Sequence, residues 1–429
     1  MTRARSGRAR GGALRGGTPV QETRLASGCT LLTWPFPGLA TAAVALAAPA
    51  GARHEETSEH GLAHLFEHML FKGTERRTAR QVAEEIEDVG GELNAWTSRE
   101  ATLLHARVMG EHVPLALDLM ADLVCAARFS DTDLLLERGV VLSEIGDAED
   151  NPEDVAWDLL QAIAYPGQTI GRPILGTAES LEQLSVRSLQ EWRARHWSPE
   201  GAVIAVAGAV DHPRVVAQCE QLFAARPPTE RCDVALARFS GGGAHRRRRT
   251  EQQVSLLGFA APGLDGPERR AATLFAAALG GGMSSRLFQE IREDRGLAYS
   301  VDASHLLHAD CGLLAMHAAT RPDHAGEVIA RMQETGLKAA TDLTPAELER
   351  ARAQMRAAML MGLEGCAGAA DWAARSWLAF GRVVRPAEAV AELDAVTLDE
   401  VRASGLAMLA GTPAIATVGP RRVRGIAAA

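Results

Sequence analysis

The sequence predicts an α/β (α+β) protein of two homologous halves, each a mixed β-sheet covered by helices, which together enclose a chamber. With 429 residues, the chain is long enough for two domains of ordinary size. Similar segments recur in the same order in both parts of the chain, and this recurrence is typical of an internal repeat. The paired segments are 131–145 with 344–352, 178–191 with 387–400, and 203–208 with 414–419.

Composition sets the predicted domain boundaries. Residues 1–21 form a basic tail, which we expect to be disordered because its first twenty residues carry five arginines and no acid. Residues 22–225 form the first half and residues 251–429 the second. Between them, residues 226–250 are rich in Pro, Gly and Arg and lack periodicity, which predicts a linker. The arginine run at 246–249 could contact nucleic acid, but we favour a solvated linker and expect no nucleic-acid partner.

The overall composition is typical of a soluble enzyme. Hydrophobic residues make up 47% of the chain, yet no apolar run is long enough to cross a bilayer, so we expect no membrane partner. The Ala-rich run 39–50 is interpreted as a strand. Six scattered cysteines without a C-x-x-C pair argue against a disulfide framework and indicate a reducing compartment. We expect the bacterial cytoplasm, with the mitochondrial matrix as the alternative because the tail is Arg-rich and acid-poor.

A pentad at residues 64–68 carries the strongest chemical signal. It reads H-x-x-E-H, the inverse of the commoner zinc-protease motif H-E-x-x-H. On a helix, His64 and His68 lie on one face, one turn apart, and could both bind one metal ion. Two neutral imidazoles suit zinc, and a third ligand would leave one position for water. Glu67 could then take the proton of that zinc-bound water.

A second predicted helix covers residues 131–149. Ser130 or Asp131 can cap its start, and Leu134, Leu135, Val141, Leu142 and Ile145 form an apolar face at helical spacing. Glu137 and Glu144 are seven residues apart and therefore share a face. Acids on the apolar side of a helix are costly unless a group such as a metal neutralises them, whereas acids at its edge are merely solvated.

Several motifs in the same order resemble the pitrilysin/insulysin family of inverted-motif zinc peptidases. They are the segment 61–73 with the pentad, the stretch from Gly90 to Glu100, the segment 137–145, and the stretch from Gly171 to Thr177. The resemblance covers nearly the whole chain from about residue 22. It is strongest to the branch that contains the mitochondrial processing peptidase β-subunit and its bacterial homologues.

The resemblance implies roles for particular residues. Glu144 matches the third zinc ligand, and Glu137 matches the supporting acid one heptad earlier, which we place with Glu67 in the catalytic set. Because the second half has no H-x-x-E-H, we expect one Zn²⁺ per chain, in the first half.

The second half carries a further family signal. Arg292 and Tyr299 match an arginine–tyrosine pair that binds the substrate carbonyl, and both side chains can donate hydrogen bonds to an oxygen that gains negative charge. The triple glycine at 280–282 could suggest a phosphate loop, but no Gly-Lys-Ser/Thr follows, which argues against nucleotide binding.

The predicted function is a zinc-dependent endopeptidase that cleaves short or unfolded polypeptides. We expect the peptide substrate to pair with a sheet edge near Asn94. The resemblance also implies a homodimer or a heterodimer with a related subunit. Two alternatives are a non-catalytic assembly or chaperone-like subunit of a peptidase heterodimer, and a maturation peptidase dedicated to one biosynthetic peptide. The intact motif argues against the first alternative.

Overall fold

Two six-stranded mixed sheets form the framework of the protein in a computed structural model, which describes residues 19–223, 234–423, 425 and 427–428. Helices cover both sheets, so the predicted α/β class and the division into two similar halves are confirmed. No helix in these described ranges is both long enough and apolar enough to cross a membrane.

The described residues of the first half form six strands and eight α-helices. The strands are β1 (Gln21–Arg24), β2 (Thr30–Pro35), β3 (Thr41–Ala48), β4 (Glu92–Thr97), β5 (Thr102–Met109) and β6 (Val203–Gly208). The helices are α1 (Leu62–Leu70), α2 (Ala79–Glu87), α3 (Val113–Ala126), α4 (Asp131–Asp150), α5 (Pro152–Ala164), α6 (Ala178–Gln183), α7 (Val186–His196) and α8 (His212–Leu222).

The second half follows the same plan. Its strands are β7 (Gly242–Arg247), β8 (Gln253–Ala261), β9 (Ala298–Leu307), β10 (Gly312–Thr320), β11 (Ala414–Gly419) and β12 (Ala427–Ala428). Its helices are α9 (Arg269–Gly280), α10 (Ala325–Asp342), α11 (Pro345–Gly362), α12 (Cys366–Phe380), α13 (Pro386–Ala395) and α14 (Leu398–Leu409), with a π-helical turn at Phe288–Glu293.

Strand order reveals the internal repeat. The first sheet runs β1-β2-β6-β3-β5-β4 and the second runs β12-β7-β11-β8-β10-β9. In the first sheet the parallel pair β2–β6, and in the second sheet the parallel pair β7–β11, is followed by antiparallel pairs out to the edge. The sheets differ at the opposite edge, where β1 is antiparallel to its neighbour and β12 is parallel. The edges formed by β4 and β9 are therefore equivalent.

The two halves exchange one helix each. Val155, Leu160 and Ala164 of α5 pack with the second sheet, while Ala369 and Ala373 of α12 pack against the first sheet. The opposite face of the first sheet is covered by α1, α3 and α7, whose buried side chains form its larger core. Because each sheet needs a helix from the other half to bury its second apolar face, the halves are interdependent.

A cavity of about 1100 Å³ lies between the halves, in agreement with the predicted chamber. Its walls include Trp96 and Glu100 from the first half, and Asp310, Trp372 and Phe380 from the second.

Parts of the predicted tail and linker belong to strands. Gln21 begins β1, and Gly242–Arg247 forms β7 in the interior of the second sheet. The linker prediction was wrong over this stretch because β7 is polar and lacks an alternating apolar pattern. Arg246 and Arg248 are also not simply solvated, since both pair with Glu149 of α4. Residues 1–18 and 226–233 of the predicted tail and linker lie outside the described residues.

Candidate metal centre

Helix α1 presents its two histidines on one side. Gly61, at φ +89°, precedes the helix in a left-handed conformation that glycine adopts readily. Leu65, Phe66 and Met69 are fully buried in the first core. The remaining face therefore carries His64 and His68, whose ring centroids lie 4.6 Å apart.

Helix α4 supplies the carboxylates. Ser130 accepts the N–H of Asp133 and so caps the helix at its predicted start. Leu134 and Val141 are buried as the periodicity predicts, but Leu135 is 66% exposed, because it lies off the narrow face that meets α1. Glu137, between the two buried residues, is only 5% exposed.

Three ligand atoms converge between α1 and α4. Nε2 of His64 lies 3.7 Å from one Glu144 oxygen, and Nε2 of His68 lies 3.5 Å from the other. These three side chains are the one group of potential metal ligands that the described residues bring together. A tetrahedral zinc ion, bound at about 2.0 to 2.2 Å, holds its ligand atoms roughly 3.3 to 3.6 Å apart. The donor set and its spacing therefore fit zinc.

Hydrogen bonding prepares His68 for a metal. Its Nδ1 lies 3.1 Å from Glu137, whose other oxygen pairs with Lys72. An ionised carboxylate only accepts hydrogen bonds, so Nδ1 carries the proton and Nε2 presents its lone pair towards Glu144.

His64 and Glu67 are both shifted towards their neutral forms. Burial, and secondarily the neighbouring His68, lowers the pKa of His64 to about 4, so its imidazole is neutral near pH 7. Burial also raises the pKa of Glu67, while a hydrogen bond from the Thr97 hydroxyl at 2.5 Å opposes that shift. Thr97 lies on the edge strand β4 and holds the Glu67 carboxylate in one orientation.

Two of the predicted substrate residues, Asn94 and Tyr299, lie on the two equivalent sheet edges, and Arg292 lies in the π-helical turn that precedes β9. Asn94 is exposed on β4. Tyr299, near the start of β9, is 75% exposed, and the Arg292 guanidinium stacks on its ring at 5.1 Å. The structure brings Arg292 and Tyr299 together, but among the described contacts neither one touches His64, His68, Glu67 or Glu144.

Three residues at this centre escaped the sequence analysis. Thr97 holds Glu67, Lys72 pairs with Glu137, and Glu55 accepts the N–H groups of Gly61 and Ala63 at the start of α1. Lys72 could have been found, because it lies one turn beyond His68. The contacts of Thr97 and Glu55 depend on the tertiary fold and left no local pattern.

The second half has other residues at the positions equivalent to the candidate ligands. We aligned the fully buried pair Leu65–Phe66 of α1 with the fully buried pair Leu274–Phe275 of α9. In this alignment other residues stand at the positions of both histidines and of the glutamate of the pentad. When the N-cap residues Ser130 of α4 and Thr344 of α11 are aligned, other residues also stand at the positions of Glu137 and Glu144. The second-half residues at these positions are Thr273, Ala276, Ala277, Ala351 and Ala358.

Comparisons with known proteins agree with this division. Residues 37–178 match the model of the insulinase family, peptidase family M16, and residues 183–355 match that of the M16 inactive domain. A protein of Rickettsia bellii named as an uncharacterized zinc protease is 33% identical over 404 residues, 94% of this chain and 98% of that protein. A Mycobacterium leprae protein named likewise is 37% identical over 412 residues, 94% of this chain and 92% of that one.

Two solved structures have the same fold. A structure from Pseudomonas fluorescens, described as a peptidase M16 inactive domain, superposes with a TM-score of 0.88 at 20% identity over 96% of this chain and all of that chain. A Helicobacter pylori protease gives 0.86 at 18% identity over 94% of this chain and 99% of that one. At these identities the similarity establishes the fold alone. Together with the family models and the relatives, however, it leads to one conclusion: the chain belongs to the insulinase family of peptidases, family M16.

Proposed function

We propose that the chain is a zinc-dependent endopeptidase that cleaves short or unfolded polypeptides. The observation that carries the proposal is the convergence of Nε2 of His64, Nε2 of His68 and the Glu144 carboxylate beside Glu67. The relatives named as zinc proteases support the choice of metal and of reaction class.

The ligand set would hold one zinc ion per chain. Bound zinc would lower the pKa of a water molecule and polarise the carbonyl of the peptide bond. The Glu144 side chain is 38% exposed, so the ligands face an opening through which water and substrate can reach them. Glu137 orients His68, and we therefore now propose for it a positioning role rather than a direct catalytic one.

Glu67 is the proposed general base. It takes the proton of the attacking water and later returns it to the leaving amine. Its hydrogen bond from Thr97 fixes the carboxylate, and burial raises the pKa of Glu67, which makes it a stronger proton acceptor.

The edge strand β4 is the proposed platform for the substrate. Asn94 is exposed there, and within the part of the chain that the structure describes β4 ends the sheet, so that one of its sides has no neighbouring strand. An extended peptide can add to such an edge through main-chain hydrogen bonds. Thr97 on the same strand contacts Glu67, so a peptide paired along β4 would pass the proposed base.

Arg292 and Tyr299 are the proposed donors to the substrate carbonyl. Their stacked arrangement supports a joint role. Tyr299 lies at the end of β9 that is far from the β9–β10 turn. The distance from Tyr299 to Leu307 at the other end is about 26 Å along the strand, at 3.3 Å per residue.

We keep a homodimer, or a heterodimer with a related subunit, as the proposed assembly and the bacterial cytoplasm as the proposed location.

The proposal is tested by incubating the zinc-loaded chain with a library of unstructured peptides and analysing the products by mass spectrometry. We expect internal cleavage that stops after chelation and returns when zinc is added back. A chain that holds zinc but cuts nothing, alone or with a candidate partner subunit, would overturn the proposal in favour of a non-catalytic subunit. Cleavage of a single peptide in the library would instead favour a dedicated maturation peptidase.

A further inference from the structure

One buried arginine joins the two halves. Arg53, in a 3-10 turn at Ala52–His54, is 5% exposed. Its guanidinium donates two hydrogen bonds to Asp310, at 2.6 and 2.7 Å, and one to Glu100 at 2.7 Å. It also donates to the carbonyl of Ala235, in the segment that connects the halves, at 3.1 Å. All four hydrogen bonds join Arg53 to residues distant in sequence, so Arg53 connects the first half both to the second half and to the segment between them.

The two acids occupy equivalent positions in the repeat. Glu100 lies in the turn between β4 and β5, and Asp310 lies in the turn between β9 and β10. The two hairpin turns touch, because Glu100 accepts the N–H of Ala309 at 3.0 Å. Asp310 in turn accepts the N–H of Ala237 at 2.7 Å. A single guanidinium thus fixes the place where both edge hairpins meet.

The same short segment leads directly to the metal helix. Glu55, two residues after Arg53, is 2% exposed. Its two side-chain oxygens accept the N–H of Gly61 at 3.0 Å and that of Ala63 at 2.8 Å. The first N–H groups of a helix have no partner within the helix, and Gly61 has no side chain with which to cap them. Glu55 supplies the missing cap, and the residue after Ala63 is the ligand His64.

A purely stabilising role does not account for this arrangement. Replacing a buried ion pair by apolar residues often leaves the free energy of unfolding unchanged. A bidentate arginine–carboxylate pair, in contrast, fixes the relative position and orientation of the two side chains. The geometry fixed here is the position of residues 52–55 relative to the second half, and through Glu55 the start of α1.

We propose that Asp310 and Arg53 are positioning residues through which the metal-free half sets the geometry of the metal site. The inference rests on the proposed ligand set of His64, His68 and Glu144. It gives the second half a role at the metal centre although that half has lost every ligand of its own. Removing the Asp310 charge would weaken the hold on Arg53, which keeps its bonds to Glu100 and Ala235, and would let the 52–55 segment shift and the start of α1 loosen.

The test is the affinity of the folded chain for Co²⁺, measured by competition with a chelator, together with the visible absorption of the bound Co²⁺. Asp310→Asn keeps the size of the side chain and removes its charge. The matched control is Asp323→Asn, which removes an acid of the same half that pairs only with Arg421 among the described residues. Circular dichroism and Tm are measured on every variant.

We expect Asp310→Asn to bind Co²⁺ about 10-fold more weakly, with an altered spectrum, as when a group that orients metal ligands is lost. Asp323→Asn should match the wild type. Arg53→Lys keeps the charge but loses the bidentate fork, so it should reproduce the loss, and adding it to Asp310→Asn should cost little more. Glu55→Gln should weaken binding in the same way without touching the contact between the halves.

Wild-type affinity and spectrum in folded Asp310→Asn and Arg53→Lys would overturn the inference, as would an equal loss in Asp323→Asn. If Asp310→Asn does not fold, Arg53→Lys decides by the same criterion. Failure of the wild type itself to bind Co²⁺ or Zn²⁺ would instead refute the proposed metal site.

Discussion

Three glutamates near the two histidines have different surroundings and therefore different proposed tasks. Glu144 is partly exposed and faces both imidazoles, as a ligand must. Glu137 is buried between His68 and Lys72, which suits an orienting group. Glu67 touches neither histidine in the described contacts. The Thr97 hydroxyl donates a hydrogen bond to one of its oxygens, and the other oxygen can exchange a proton with water.

Glu67→Gln should separate metal binding from catalysis. The amide keeps nearly the same shape but cannot accept the proton of the attacking water. We expect full zinc content and peptide hydrolysis slowed by roughly 10² to 10⁴, the range for loss of general-base catalysis. Metal analysis and kcat on the same sample check this, and undiminished turnover would place the base elsewhere.

Glu137→Gln should instead weaken metal binding. The amide accepts a weaker hydrogen bond from Nδ1 of His68 and no longer pairs with Lys72 as an anion. We expect zinc affinity to fall by about 10- to 100-fold. The matched control is Glu149→Gln on the same helix, whose carboxylate pairs with Arg246 and Arg248 instead. Equal affinities in the two variants would contradict the orienting role.

At the scale of elements, the sequence predicted what is locally encoded. The helix at α4 follows from its Ser130 cap and apolar spacing, and the ligand pair follows from four-residue spacing on α1. Strand β7 was not predicted because its polar sequence lacks an alternating apolar pattern. It is a strand because its backbone groups form hydrogen bonds with its neighbours β11 and β12. Thr97 and Glu55 were missed because their partners lie on other elements.

The meeting hairpin turns should give the fold an acid-sensitive contact. Burial would raise the pKa values of Asp310 and Glu100. The Arg53 guanidinium and backbone N–H groups, together with His308 beside Glu100, hold both pKa values below their usual range. Carboxylates with depressed pKa values stabilise the fold above their unfolded values, near pH 4, and this contribution is lost as the pH falls through the folded values.

We therefore expect the difference in Tm between the wild type and Asp310→Asn to be largest above about pH 5. It should shrink as the pH falls below about 4, because the wild-type carboxyl is then protonated as well. Scanning calorimetry from pH 3 to pH 7 measures this difference. A gap that stays constant over the whole range would show that the Asp310 charge does not stabilise the contact.

At the scale of the whole molecule, a duplicated fold carries the candidate metal ligands in one copy. The first half holds the candidate ligands His64, His68 and Glu144, and the second has Thr or Ala at the aligned positions. The exchange of α5 and α12 binds the halves together. The second half presents Tyr299 on the edge equivalent to the proposed substrate edge, and Arg292 of the π-helical turn stacks on its ring.

Arg292→Ala and Tyr299→Phe should keep zinc and lose activity. The tyrosine change removes one hydroxyl and should cost about 1 to 3 kcal/mol in kcat/KM, whereas the loss of a charged donor should cost more. The control is Arg295→Ala. Arg295 lies just after the π-helical turn that contains Arg292, and it pairs with Glu290. Activity recovered by mixing Glu67→Gln with Arg292→Ala chains would assign the pair to a partner's site. Full activity in both single variants would make the pair structural only.

The central claim, a single zinc site in the first half, is tested most directly by anomalous diffraction at the zinc edge from crystals of the zinc-loaded protein. The account predicts one strong peak per chain, about 2.0 to 2.2 Å from Nε2 of His64, Nε2 of His68 and a Glu144 oxygen. No peak at this position, or a second equally strong peak in the other half, would contradict it.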